Sequence, residues 1–191
     1  MKVLVTKEYL TNIANSIRSK KGNTTKYKPE DMSEAIDSIT TTYSPRFISF
    51  REYKGGDLNP ELATLDTSKM TTMAQMFYYC DVLASLNVST FNTENVNNMR
   101  YMFYACNRII NLDLSNFNTN RVTDMSYMFA NCEKLTLLDI RNFNFGNVTS
   151  YTGMFNSVPS DCKIIVADDN AKRWITSKFS NLTNVKTVAE L

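Results

Sequence analysis

The sequence predicts an α+β solenoid, a stack of repeated coils with a helical segment at each end. Three observations carry that prediction. Met73-Ala-Gln-Met76-Phe77-Tyr-Tyr-Cys80 recurs as Met99-Arg-Tyr-Met102-Phe103-Tyr-Ala-Cys106 and as Met125-Ser-Tyr-Met128-Phe129-Ala-Asn-Cys132, at a constant step of 26 residues. Leu86, Leu112, Leu138 and Ile164 keep that step, as do Val88, Leu114, Ile140 and Val166. Phe91, Phe117 and Phe143, with Leu65 in phase before them, form another column, and Met70, Val96, Val122 and Val148 the next. A unit of this length cannot bury its own apolar face, so it must stack on its neighbours.

In chain order, residues 7–20 place Leu10, Ile13, Ala14 and Ile17 on one face of an amphipathic helix, which Gly22 ends. After a Lys/Thr/Asn-rich loop, residues 29–39 start a second helix with Pro29, Glu30 and Asp31 in the first turn, where acidic side chains suit the helix dipole. Residues 1–42 are therefore read as a helical hairpin for attachment or oligomerisation. Thr40 to Pro45 is a linker by composition, and Arg46 to Arg51 alternates well enough for an opening strand.

Within each repeat the Leu-x-[Val/Leu/Ile] stretch suits a short strand, while Met-x-x-Met-Phe-x-x-Cys keeps the three-to-four spacing of a helical turn. Phe-Asn-Thr and Ser-Asn-Phe are turn chemistry, because their polar side chains satisfy local backbone groups. The repeat region is assigned to residues 43–167, with Lys163 to Ala167 as its last strand. Residues 168–191 are read as a C-terminal cap whose helix begins acidic at Asp168 and ends basic at Lys178. Trp174, Ile175 and Phe179 are expected to cover the end of the stack.

The Met and Cys columns offer thioether and thiolate ligands of the kind that select soft metals. Their recurrence argues for packing instead. A fourth, degenerate copy puts Tyr151 on the first Met position, Met154 and Phe155 on the Met-Phe pair, and Val158 on the cysteine. A ligand position that accepts valine is a buried apolar position, for which Met and free Cys are well suited. With three cysteines on one column and Cys162 off it, no disulfide framework is expected.

Composition narrows the function classes. The chain has 191 residues, 43% of them apolar, and a formal charge of +2 from 21 basic and 19 acidic residues. That balance supplies no electrostatic case for nucleic acid. There is no histidine, which removes Ser-His and Cys-His pairs and His-containing metal sites. Asp113 and Asp139 on adjacent repeats resemble a glycosidase carboxylate pair only superficially. No catalytic, cofactor-binding or metal-ligating residue is assigned, and no cofactor is expected. No stretch approaches the roughly 18 apolar residues of a membrane span, and Met1-Lys-Val-Leu-Val is interrupted by Thr6, Lys7 and Glu8 before a signal-peptide core forms, so neither secretion nor membrane insertion is expected.

The units "LNVSTFNTENVNNMRYMFYACNRI" and "LDLSNFNTNRVTDMSYMFANCEKL" resemble the BspA-type leucine-rich repeat of bacterial surface proteins and of phage or prophage tail proteins, over roughly residues 60–167. The resemblance implies a right-handed solenoid used for binding, without a catalytic centre of its own. "YLTNIANSIRSKKGNTTKYKPEDMSEAIDSI" is similar to an N-terminal module of tail-fibre and minor structural proteins of phages infecting Gram-positive bacteria. Together these imply a virion protein, tail-tip or tail-fibre associated, whose residues 1–42 contact other virion proteins or hold copies together, for instance as a trimer. A BspA-like bacterial adhesin, or a small cytoplasmic inhibitor of a host protein, is the alternative.

A binding protein needs a surface, and the repeat phase indicates two. If Leu112 and Leu114 point inward, Asn111, Asp113 and Ser115 point outward, with Ser85, Asn87 and Ser89 before them and Leu137, Asp139 and Arg141 after. The second surface is the column Gln75, Tyr101, Tyr127 with Tyr78 and Tyr104 beside it. Planar aromatics suit sugar rings and protein hot spots, so the expected partner is a host cell-surface protein or glycan engaged over several repeats.

Overall fold

The computed structural model describes residues 49–55 and 57–191. Both helices expected within residues 1–42, the linker at 40–45 and most of the opening strand lie outside the described residues. Of that strand only Ser49 to Arg51 is described, and it is not a β-strand; Phe50 N–H donates to the Met76 carbonyl at 2.6 Å.

A chain that repeats every 26 residues with its apolar columns in register brings residue i beside residue i + 26. The Leu-x-[Leu/Ile] stretches accordingly pair as short parallel strands: β1 (Asn111–Asp113), β2 (Leu137–Asp139) and β3 (Lys163–Val166), with Leu112 beside Leu138 and Leu138 beside Ile164. Isolated parallel bridges link Thr72, Asn98, Asp124 and Ser150 at the same step.

Two expectations about the strands need correction. Residues 85–88 are in phase with β1 but form no strand. The equivalent position one unit earlier is helix α1 (Asn59–Leu62), where Pro60 has no N–H for a ladder. The Asn59 side chain instead donates to Ser85 Oγ at 3.2 Å and accepts from Asn87 N–H at 2.6 Å. Nor is Lys163 to Ala167 the last strand. Residues beyond helix α2 (Asp169–Lys178) return as β4 (Val185–Thr187), parallel to β3, so the C-terminal segment extends the sheet as well as capping it.

The Met-x-x-Met-Phe-x-x-Cys stretch is not helical. Its N–H groups alternate between two destinations. Those of Met73, Gln75, Phe77 and Tyr79 donate to the carbonyls of Asn98, Arg100, Met102 and Tyr104 in the next unit, and those of Met76, Tyr78 and Cys80 close turns on residues three earlier. The pattern repeats from Met99 and from Met125. Every second residue reaches outward, so no intrachain helical ladder forms, yet the backbone groups are satisfied. The geometry requires left-handed backbone at two positions per unit, at Gln75, Tyr101, Tyr127 and Gly153 and at Tyr79, Ala105, Asn131 and Ser157, all with φ near +60°.

The interior follows the columns. Phe50, Phe77, Phe103, Phe129 and Phe155 stack at 5.5–5.8 Å, and Phe91, Phe117 and Phe143 at 6.4 Å. Polar groups are ordered as strictly. Thr67, Thr93 and Thr119 are buried, and each hydroxyl both accepts the N–H and donates to the carbonyl of one Asn in the next unit, namely Asn92, Asn118 and Asn144. Those Asn side chains close local turns on Glu94, Asn120 and Gly146.

All four cysteines are free and buried. Cys106 and Cys132 donate S–H to the Phe77 and Phe103 carbonyls at 3.2 and 3.1 Å. Burial pushes the Cys80 thiol up to about 11 and those of Cys132 and Cys162 up to about 12, so little thiolate forms. Native protein is expected to leave its thiols unmodified by DTNB at mildly alkaline pH and to expose them on unfolding. Cys106→Val, which keeps volume and loses one weak donor, is expected to cost less than about 1.5 kcal/mol. A native thiol reacting at the rate of a free one would contradict this packing.

The fourth unit departs from the pattern where the C-terminal helix meets it. Phe145 replaces the buried Thr and stacks on Trp174 at 4.3 Å; Tyr151 replaces Met and packs edge-on against Trp174 and Phe179. Asp168 caps α2 through the N–H groups of Asn170 and Ala171, and Ile175 is fully buried.

Candidate functional site

The left-handed column that crosses the turns carries Gln75, Tyr101 and Tyr127, and the residues that follow carry Tyr78, Tyr79 and Tyr104. The structure brings all six onto one surface. Tyr101 and Tyr127 stack at 4.9 Å with planes 4° apart, and Tyr78 and Tyr104 at 5.0 Å and 11°. The two stacks meet edge to face, at 5.9 Å between Tyr78 and Tyr101 and 5.3 Å between Tyr101 and Tyr104. Tyr79, 40% exposed, leans on both Tyr78 and Tyr104. Sequence reasoning passed over Tyr79 because its column holds Ala105 and Asn131 in the next units; the adjacent pair Tyr78-Tyr79 was the available signal.

Cations border the rings. The Arg51 guanidinium lies 4.5 Å from the Tyr78 ring centre and donates to Gln75 Oε1 at 3.2 Å, while that of Arg100 lies 4.9 Å from the Tyr101 ring centre. Burial among its neighbours, followed by Tyr79 and Tyr78, raises the Tyr104 hydroxyl above the ordinary phenol value. It is therefore a neutral donor at physiological pH. The column ends at Gly153, where an added Cβ would stand 2.5 Å from Tyr127 Cε1; the ring occupies the space that any other residue would need.

The second expected surface divides. Asn87 and Asp113 are exposed and line a shallow groove of about 310 Å³ together with Asn59, Ser85, Asn111 and Ser115. The groove opens where residues 85–88 fail to pair with β1. Its side chains are largely occupied in shaping the chain: Asp113 Oδ1 accepts from Ser115 N–H at 2.9 Å, and hydrogen bonds from Ser115 hold that carboxyl below its usual range. Asn87 Oδ1 accepts from Ser89 N–H at 3.1 Å.

Asp139 does not belong to an outward strip, whereas the side chain of Arg141 is partly exposed. Asp139 is buried at 7% exposure, and Arg141 Nε lies 3.0 Å from both of its carboxylate oxygens. Although Asp113 and Asp139 are register partners on β1 and β2, the second is committed to this ion pair. Among the described residues no cluster of His, Cys, Asp or Glu is arranged to hold a metal ion, and no helix is long and apolar enough to cross a membrane.

No curated protein and no solved structure matches the chain. A protein family does, over residues 48–166, which spans every described repeat from Phe50 through β3. That range is more than half of the sequence, and the chain therefore belongs to the family described as Mycoplasma protein of unknown function, DUF285.

Proposed function

We propose that the protein is a non-enzymatic binding protein, a BspA-type leucine-rich-repeat α+β solenoid, acting as a tail-tip or tail-fibre associated structural protein of a phage or prophage. The tyrosine face is the surface that engages a host-surface ligand. One observation supports the binding reading above the others: Tyr79, Tyr101 and Tyr127 stay solvent-accessible in left-handed backbone that favours Gly or Asn. Bulky aromatics held at such positions on a surface cost stability, and sites of that kind cluster at functional surfaces. The solenoid reading is supported by the parallel pairing at a step of 26 and by the continuous apolar columns.

The virion reading is supported by the likeness of residues 9–39 to a phage structural module, with residues 1–42 contacting other virion proteins or further copies of the chain. The family is associated with BspA-like repeat proteins, and that favours a second reading, a bacterial surface adhesin. Mass spectrometry of purified particles from the strain that carries the gene separates the two, since only a virion component copurifies.

Tyr101→Asn combined with Tyr127→Asn tests the face itself. Asn adopts the left-handed backbone without strain, as Asn131 does at φ 61°. The variant is expected to melt within a few degrees of the parent yet lose adsorption to cells of that strain. Unchanged adsorption by the folded variant would remove this surface as the docking site.

A further inference from the structure

We propose that the occupant of the tyrosine face is a neutral glycan of the cell surface, with a sugar ring seated against Tyr79 and Tyr104. The inference rests on the reading of that face as the docking surface and names the chemistry it accepts.

The sequence sets where the stacks of rings stop. Tyr78 and Tyr104 keep the step of 26, but the next residue in their column is Ala130, and the column of Tyr79 continues as Ala105 and Asn131. One face of Tyr104 is covered by Tyr78 at 5.0 Å, and among the described residues no ring is stacked on the other. Tyr79 meets Tyr78 and Tyr104 only at tilts of 58° and 51°, so its own faces are not stacked either, and it is 40% exposed. Alanine in the following unit is too short to close these surfaces. A sugar presents a band of C–H groups on one side of its ring and hydroxyls around the rim. The band packs on an open aromatic face, and phenol hydroxyls, which both donate and accept, serve the rim.

Charge on the face is balanced. Arg51 pairs with Glu52 at 3.0 Å, Lys54 with Asp81, and Arg100 lies in the field of Asp124. Each cation has a carboxylate to match it, so an ionic ligand of either sign gains little net attraction. The face also lacks the centre that a protein partner would need. Standard protein interfaces bury about 800 Å² on each side around an apolar core. Among the described residues the exposed large apolar side chains are Tyr79, Ile110, Val188 and Leu191. Ile110 directly precedes β1 and the last two lie in the C-terminal segment, which leaves Tyr79 alone on this face beside half-buried tyrosines. One open aromatic corner in neutral, hydrogen-bonding surroundings suits a ligand a sugar ring wide.

The test measures adsorption of the labelled full chain to cells of the strain that carries the gene, after periodate, which cleaves sugar diols, or after proteinase K. Adsorption is expected to be lost with periodate, kept with proteinase, and unchanged from low to high salt. Tyr79→Asn removes the ring while suiting the left-handed backbone, as Asn131 does in the same column at φ 61°, and is expected to weaken adsorption about tenfold or more. Tyr79→Phe keeps the ring and is expected to adsorb as the parent does, with thermal melting confirming that both variants fold. The proposal is overturned if adsorption survives periodate, is lost with proteinase or falls steeply with salt, or if Tyr79→Asn adsorbs as well as Tyr79→Phe. Any of these together with loss in Tyr101→Asn/Tyr127→Asn would reject the glycan while keeping the face. Unchanged adsorption of that double variant would instead remove the face.

Discussion

Phe103→Ala is expected to lower the unfolding free energy by about 3–5 kcal/mol, the range for truncating a fully buried aromatic. Phe103 is the central ring of a five-membered stack, 5.5 Å from Phe77 and 5.8 Å from Phe129, and none of its surface is exposed. The cavity has little means of collapse. On one side Phe77 N–H is bonded to the Met102 carbonyl, and on the other Phe103 N–H is bonded to that of Met128, so the spacing between units is set by the backbone. The same change at Phe50, the half-buried end of the stack, is expected to cost clearly less. Guanidinium denaturation of the two variants checks both values, and equal losses would mean that the rings do not share a continuous interior.

Thr119→Val is expected to cost about 2–3 kcal/mol even though it conserves volume, because buried polar groups left without partners cost about 1–3 kcal/mol each. The Thr119 hydroxyl is fully buried, accepts Asn144 N–H at 2.7 Å and donates to the Asn144 carbonyl at 3.1 Å. Valine removes both bonds at once. Thr119→Ser keeps the hydroxyl, loses only a methyl group, and is expected to recover most of the stability. If Val and Ser were equally tolerated in the same denaturation experiment, the threonine ladder would be incidental to folding.

Turn chemistry was legible at Phe-Asn-Thr, but only half of its meaning was local. Asn92, Asn118 and Asn144 close turns on residues two further along, which sequence neighbours suffice to specify. Each threonine between those turns instead serves the backbone of the following unit. The fourth unit shows the same division. Its departures at Phe145, Tyr151 and Gly153 look like decay of the repeat in sequence, whereas in the structure the two aromatics pack against the C-terminal helix and the glycine makes room for Tyr127.

The candidate site was likewise half legible. The column Gln75, Tyr101, Tyr127 and its neighbours Tyr78 and Tyr104 followed from the period alone. Asn87, Asp113 and the partly exposed Arg141 followed from it too, while Asp139 was misplaced because an ion pair formed two residues apart on one strand end leaves no trace in an alternation pattern. Periodicity reports which side chains are equivalent, and equivalence does not say which are paired.

By itself the sequence determined which residues are interior. A column that stays apolar at a fixed step must be buried, whatever backbone carries it, and Met73, Phe103, Cys132, Leu138 and Val166 are all buried. Tertiary structure alone decided the backbone that carries them. The Met-x-x-Met-Phe-x-x-Cys spacing is that of a helix, yet alternate N–H groups find partners in the next unit, a choice made by a neighbour 25 residues away and invisible in local propensity. The same crossing turns hold Tyr79, Tyr101 and Tyr127 in left-handed backbone and lay the rings of Tyr101 and Tyr127 face to face.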